Sequence, residues 1–234
     1  MLRDRLHSTP PFAIDLSHVE PDLTGWGSTH PVFAAAIRAL RPSLVIEVGT
    51  WKGGSAIHMG QVMRDEGLLG EGEGEIVCVD TWLGAPIAWT SEPALKPQLR
   101  LHGGYPQLFY TFARNVVDAG LEGTITPLPA SSDGGHAVLK HFGAEADLIY
   151  IDADHDYGPA KCDFEHYLAL LSPAGMMVGD DFGCFPGVTR AGQEFAEEQN
   201  LHAVKLREKI VFSREPITQR LGLEGDGYYE RAAA

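Results

Sequence analysis

The chain has 234 residues, 44% of them hydrophobic and 21% charged, with a formal net charge of −14 and a pI near 5.0. That length supports one sizeable core, with a single decorated domain as the simplest division. So acidic a balance argues against a nucleic-acid partner, which would ask for a basic stripe, and no apolar run approaches the roughly 20 residues of a membrane helix. The opening MLRDRLHSTPPF lacks the apolar centre of a signal peptide, so a cytoplasmic protein without a membrane partner is expected. Cys78, Cys162 and Cys184 are odd in number and lack CxxC spacing. They are read as buried thiols rather than a disulfide framework or zinc knuckle.

In chain order, residues 1–28 form an extension with a surplus of apolar groups, among them Phe12, Leu16 and Trp26. Such a surplus predicts cover for a binding site or a neighbouring subunit, and a homo-oligomer is expected. Residues 31–40 (PVFAAAIRAL) have helical period behind a proline suited to a first turn, and 43–48 (SLVIEV) read as a strand. A helix over 55–66 follows a Gly-Gly pair, then a glycine-rich connector over 67–74, a strand over 75–79 and a proline-containing insertion over 83–104. Beyond it come a helix over 105–119, a strand over 125–128, a helix over 134–142, a strand over 147–151, a helix over 159–171, a strand over 175–179 and a helix over 188–199. Segments 202–207 and 209–214 suit an edge hairpin, and the tail over 215–234 reads as loosely held. Short apolar strands alternating with amphipathic helices predict an α/β fold over 29–214. It is a doubly wound, mostly parallel sheet of about seven strands with a C-terminal edge hairpin.

In such a sheet ligands bind beyond the carboxyl ends of the strands. The first strand there meets the loop of Gly49, Gly53 and Gly54, patterned G-T-x-x-G-G rather than the G-x-G-x-x-G of a dinucleotide site. Glu47 at its mouth would repel a pyrophosphate but suits an ammonium or sulfonium centre. Asp80 ends the next strand, where a ribose diol is commonly held. A nucleoside without phosphates that carries an amino-acid-like cation answers both, and S-adenosylmethionine is that molecule.

Here the sequence resembles the class I S-adenosylmethionine-dependent methyltransferases. "VIEVGTWKGGSAI" looks like their first motif and "VCVDTW" like their second, and the likeness covers roughly residues 28–214. It is nearest to the branch of the macrocin and novobiocin sugar O-methyltransferases and the catechol-type O-methyltransferases, which also holds cephalosporin-hydroxylase-like proteins. The resemblance implies that Glu47, Gly49, Thr50 and Ser55 surround the amino-acid portion of the cofactor and that Asp80, followed by Thr81, binds the ribose. It places Trp82 beside adenine, with plain packing as the alternative, and Ser131 or Ser132 of "PASSDGG" at the adenine edge, with Asp133 as a further candidate there.

Downstream, "YIDADHDY" and "MVGDDFG" end two successive strands with Asp152 and with the pair Asp180 and Asp181. Three carboxylates at one rim repel one another unless protonated or joined by a cation. Oxygen ligands favour a hard divalent cation, Mg²⁺ first. The 28 residues from Asp152 to Asp180 resemble the ligand spacing of metal-dependent O-methyltransferases. Asp152 also counts among the expected cofactor residues. The resemblance makes Asp154 the first candidate base, and the departure D-A-D-H-D-Y makes His155 the second. His136, His141 and His166 are read as lacking an i, i+4 partner of metal type, and Tyr105, Leu108, Phe109 and Phe112 as a core stripe.

The expected function is therefore metal-dependent O-methylation of a small hydroxylated molecule. The alternatives are a non-catalytic or hydroxylase-supporting cofactor-binding protein, and a nicotinamide-dependent oxidoreductase, which the broken glycine fingerprint disfavours.

Overall fold

A computed structural model describes residues 1–70, 74–90, 93–223 and 229–233. The elements are α1 (Arg3–Leu6), α2 (Pro31–Leu40), β1 (Leu44–Val48), α3 (Gly54–Asp65), β2 (Glu75–Asp80), α4 (Pro86–Thr90), α5 (Leu108–Asp118), β3 (Ile125–Pro129) and α6 (Ser132–His141). They continue as β4 (Ala146–Ile151), α7 (Tyr157–Leu168), β5 (Leu171–Gly179), α8 (Pro186–Glu198), β6 (His202–Leu206), β7 (Lys209–Ser213), α9 (Thr218–Leu221) and β8 (Glu230–Arg231). The sheet order is β3-β2-β1-β4-β5-β7-β6-β8. Strands β3 to β5 are parallel, and β7 inserts antiparallel between β5 and β6. This is the expected doubly wound sheet of seven strands, with the two-residue β8 added at the edge.

Alternation along each strand divides the core in two. Val45, Cys78, Leu148, Tyr150 and Met176 face α2, α3 and α5, where Phe33, Met59 and Phe112 meet them. Ile46, Val79, Ile149 and Met177 face α6, α7 and α8, against Leu139, Phe164 and Phe195. Both faces are covered, which is why the central strands read as continuous apolar runs. Local signals set the helix starts. Pro31 occupies the first turn of α2 while His30 Nδ1 accepts from Val32 N at 3.1 Å, and Ser131 caps α6 by accepting from Gly134 N at 3.2 Å.

Several expectations are corrected. The helix placed over 105–119 starts at Leu108, leaving Tyr105 in a loop and 66% exposed rather than in the core stripe. Strand β5 begins at Leu171, with a register shift that accommodates the stretch around Pro173. The insertion contains α4 and a 3₁₀ turn, Lys96–Leu99. Residues 71–73 of the connector, 91–92 of the insertion and 224–228 of the tail lie outside the described residues. What is described of the tail is docked: Ile217 and Leu221 are buried, Arg220 Nη2 donates to Ala174 O at 2.6 Å, and β8 pairs with β6. The N-terminal extension joins the same body, with Phe12 and Leu16 buried and the amides of Leu2 and Arg3 donating to the Glu75 carboxylate at 2.7 and 2.8 Å. Of the cysteines only Cys78 is buried, whereas Cys162 is half-buried and Cys184 exposed. Among the described residues no helix is long and apolar enough to cross a membrane.

Candidate active site

A cavity of about 1360 Å³ opens at the carboxyl ends of β1, β2, β4 and β5. One side is the β1–α3 loop. Gly49 (φ 82°) is obligatory there, because a Cβ would lie 1.9 Å from the carbonyl oxygen of Asp152 in the neighbouring loop. Asp80, on the cavity wall, clamps the loop. Its Oδ2 accepts from the amides of Thr50 and Trp51 at 2.8 Å each, and its Oδ1 from that of Trp82 at 2.7 Å. Burial pushes the Asp80 carboxyl above the usual range against the opposing pull of these amides. Oδ1 keeps acceptor capacity for a ligand, while Oδ2 is fully used. Gly49, Thr50, Ser55 and Thr81 also border the cavity, as do Ser131 and Ser132 at its far end.

Two residues expected against the cofactor lie elsewhere. Trp82 is 3% exposed, packed on Phe112 and Phe109 at ring distances of 4.8 and 5.3 Å, with its indole N–H donated to Trp51 O at 3.0 Å. An adenine would have to displace this core contact, so Trp82 is a packing residue. Glu47 is fully buried beneath the glycine loop rather than on the cavity wall. It accepts from the Ser55 hydroxyl, and Cys78 Sγ lies 3.5 Å from it. Burial pushes its carboxyl up to about 7. Its reach to a ligand runs through Ser55, which does border the cavity.

The opposite side carries the acids. Asp152, His155 and Asp181 bring one donor atom each within 4.8 Å of one another. His155 Nε2 is 2.9 Å from Asp181 Oδ2, and its ring stacks on Phe185 at 4.2 Å and 9°. The hydrogen bond to Asp181 raises the imidazole above its ordinary value against partial burial. Asp152 is pushed well upward by burial and by the charges of Asp180 and Asp181. Asp154 is exposed at the cavity border, its Oδ1 accepting from Asp156 N at 2.8 Å.

The expected trio is altered at Asp180. Lys209, completely buried, is ion-paired to Asp180 Oδ2, and the Tyr150 hydroxyl lies 2.6 Å from the same oxygen and 2.9 Å from Asp152 Oδ2. Asp180 Oδ1 accepts from Asp181 N at 2.7 Å. Asp180 Oδ2 is thus taken up by Lys209 and Tyr150 while Oδ1 keeps acceptor capacity, and the donor atoms that lie within 4.8 Å of one another at this corner are those of Asp152, His155 and Asp181. Nothing in "EKIVF" marked Lys209, since the antiparallel insertion of β7 alone brings its first residue to this rim.

Residues 23–28 of the N-terminal extension, expected to cover a binding site or a neighbouring subunit, border the cavity, and the contacts that hold residues 22–28 as a strap were not marked in the sequence. Lys52, 1% exposed, donates to Asp22 Oδ2 at 2.6 Å and Gln98 Oε1 at 2.9 Å, and Asn115 Nδ2 donates to Asp22 O at 2.8 Å. Although partial burial raises the Asp22 carboxyl, the hydrogen bonds from Lys52 and Thr24 bring it down to about 2. Trp26, 67% exposed, borders the cavity on this strap.

Fold and cavity together define a Rossmann-like methyltransferase architecture. Residues 46–182, more than half the chain, match a family of methyltransferase domains, and the chain belongs to that family. A relative, the uncharacterized protein y4gI of Sinorhizobium fredii (strain NBRC 101917 / NGR234), is 26% identical over 158 residues. That stretch is 68% of this chain but only 15% of y4gI. Among solved structures, SAH-bound PaMTH1 of Podospora anserina superposes with a TM-score of 0.57 at 16% identity, covering 86% of this chain and 85% of that one. The O-methyltransferase of Bacillus cereus in complex with SAH gives 0.58 at 15% identity, with 84% of each chain covered. The O-methyltransferase NovP gives 0.59 at 18%, with 79% and 78% covered. At these identities the likeness is one of fold.

Proposed function

We propose that the protein transfers the methyl group of S-adenosylmethionine to a hydroxyl of a small molecule such as a sugar, a phenol or a natural-product intermediate. The observation that carries this reading is convergence on one cavity of two unlike walls: a glycine loop clamped by Asp80, and the corner of Asp152, His155 and Asp181. The first wall suits the cofactor, with close backbone at Gly49, a hydroxyl at Ser55 and a spare acceptor at Asp80 Oδ1 for a diol. The second suits the acceptor. As the carbon–sulfur bond breaks and the carbon–oxygen bond forms, the acceptor's proton must pass to a group on this wall. SAH in the Podospora and Bacillus neighbours supports the cofactor assignment.

The corner also fits a hard divalent cation. Asp152 and Asp181 offer oxygen donors, and the charges that push Asp152 upward are those a dication would offset. Such an ion supplies a Lewis acid that favours the ionised form of a hydroxyl. In this reading Asp154, at the cavity border, accepts the proton. The contact between His155 and Asp181 favours a second reading, in which Asp181 orients the imidazole and His155 accepts the proton without a metal.

Transfer of a labelled methyl group to a panel of catechols and sugars, with and without EDTA, separates them. The metal reading expects EDTA to abolish transfer and Asp154→Asn to lower it by roughly 10² to 10⁴. The second expects activity in EDTA and its loss in His155→Ala. Failure to bind S-adenosylmethionine by calorimetry overturns both.

A further inference from the structure

A second donor cluster lies apart from that corner, between α6 and α7. Asp133 on α6 faces Cys162 and His166, which stand four residues apart on α7 and so share one helix face. Their donor atoms all lie within 4.8 Å of one another. His166 Nδ1 is 3.2 Å from Asp133 Oδ1, Cys162 Sγ is 3.6 Å from His166 Nδ1, and Cys162 Sγ is 3.9 Å from Asp133 Oδ1. Zinc bond lengths of about 2.3 Å to sulfur and about 2.0–2.2 Å to nitrogen and oxygen, with tetrahedral angles, put the corresponding ligand atoms about 3.3 to 3.7 Å apart. The three side chains therefore already approximate one face of a tetrahedron.

The surroundings favour a cation there. Burial and the negative charges of Asp133, Asp163 and Glu165 push the Cys162 thiol up, so these carboxylates surround the sulfur with a negative field that a bound cation would offset. The sulfur is equidistant from both nitrogens of His166, 3.6 Å each, so no single directed hydrogen bond defines the contact. His136 stacks on the His166 ring at 4.8 Å and 14° and holds its plane. The asymmetric exposure, 75% for the Asp133 side chain and 40% for His166, leaves an approach from solvent.

We propose that Asp133, Cys162 and His166 form a zinc-class metal site bridging α6 and α7, distinct from the corner of Asp152 and Asp181. A thiolate, an imidazole and one carboxylate select a borderline ion such as Zn²⁺, whereas carboxylates alone select Mg²⁺. Asp133 and Cys162 also border the large cavity near Ser131, so the fourth position is left to water or to a group held in that end.

Cobalt(II) is the probe, because a cysteine ligand gives thiolate-to-metal charge-transfer absorption that oxygen ligands do not. Chelator-treated full-length protein titrated with Co²⁺ should develop this band to about one equivalent, and Zn²⁺ should bleach it. The band should persist in Asp181→Asn and in Cys184→Ser, lapse in Cys162→Ser, and need roughly tenfold or more cobalt in His166→Ala. Circular dichroism of Cys162→Ser checks that it folds, and Asp133→Asn, altered at an exposed side chain, provides a second weakened variant. No band in the wild type, a band surviving Cys162→Ser, or a band lost in Cys184→Ser overturns the site.

Discussion

Glu47 is enclosed with its carboxyl raised to about 7, and this makes it a titrating group in the floor of the cofactor loop. The ordinary carboxyl value is 4.5, so between that pH and about 7 the folded protein keeps a proton that the unfolded chain has released. Stability from this group is fully present below pH 4.5 and is lost as pH rises through 7, falling by about 1.4 kcal/mol for each pH step of one between those values. Glu47→Gln retains an acceptor for Ser55 without the charge. The variant should therefore lose less melting temperature than the wild type between pH 5 and pH 8, as read by differential scanning calorimetry. Parallel pH curves for the two proteins would show that Glu47 does not carry a raised value.

The element most open to test is the strap over 22–28, held by the enclosed Lys52 through Asp22. Asp22→Ala leaves Lys52 with Gln98 alone. Since Asp22 is partly exposed, the expected destabilisation is roughly 1–3 kcal/mol rather than that of a wholly enclosed pair. Hydrogen exchange should quicken at amides 23–28 and stay slow in β1; unchanged exchange in the strap would show that Asn115, together with the Trp51 indole N–H donated to Thr24 O at 3.2 Å, suffices to hold it. The strap illustrates what sequence could and could not reveal. The order of strands and helices was legible because the central strands are largely apolar on both faces, and Gly49, Asp80 and the paired aspartates followed from strand ends in that order, while Ser131 came from the family resemblance. Lys52, Lys209 and Asp22 were not, since a charge becomes a buried partner only through contacts distant in the chain. Trp82 was open between adenine contact and packing, because a tryptophan after such a strand turns inward or outward by the turn it occupies, here at φ 52° and inward. The reading of His166 as a histidine without an i, i+4 partner of metal type is corrected by Cys162, four residues earlier on the same face of α7, since a thiol can fill that place as an imidazole can.

For the molecule as a whole, the charge of −14 is echoed in the cavity. Its border includes Asp80, Asp152, Asp154, Asp163, Asp181 and Glu208, whereas Lys52, the sole lysine bordering it among the described residues, is already paired. A neutral or cationic acceptor is expected, and a phosphorylated form of the same acceptor should show kcat/KM lower by about tenfold or more, with the gap narrowing as salt rises. A preference for the phosphorylated form would contradict this. Finally, Gly49 and the carbonyl of Asp152 leave no room for a methyl group between the cofactor loop and the loop of the acidic corner. Two backbones in such contact cannot be displaced independently. Should occupancy of one wall alter affinity at the other by some factor, the reverse effect must be equal, and Gly49 is the contact through which such a coupling would pass.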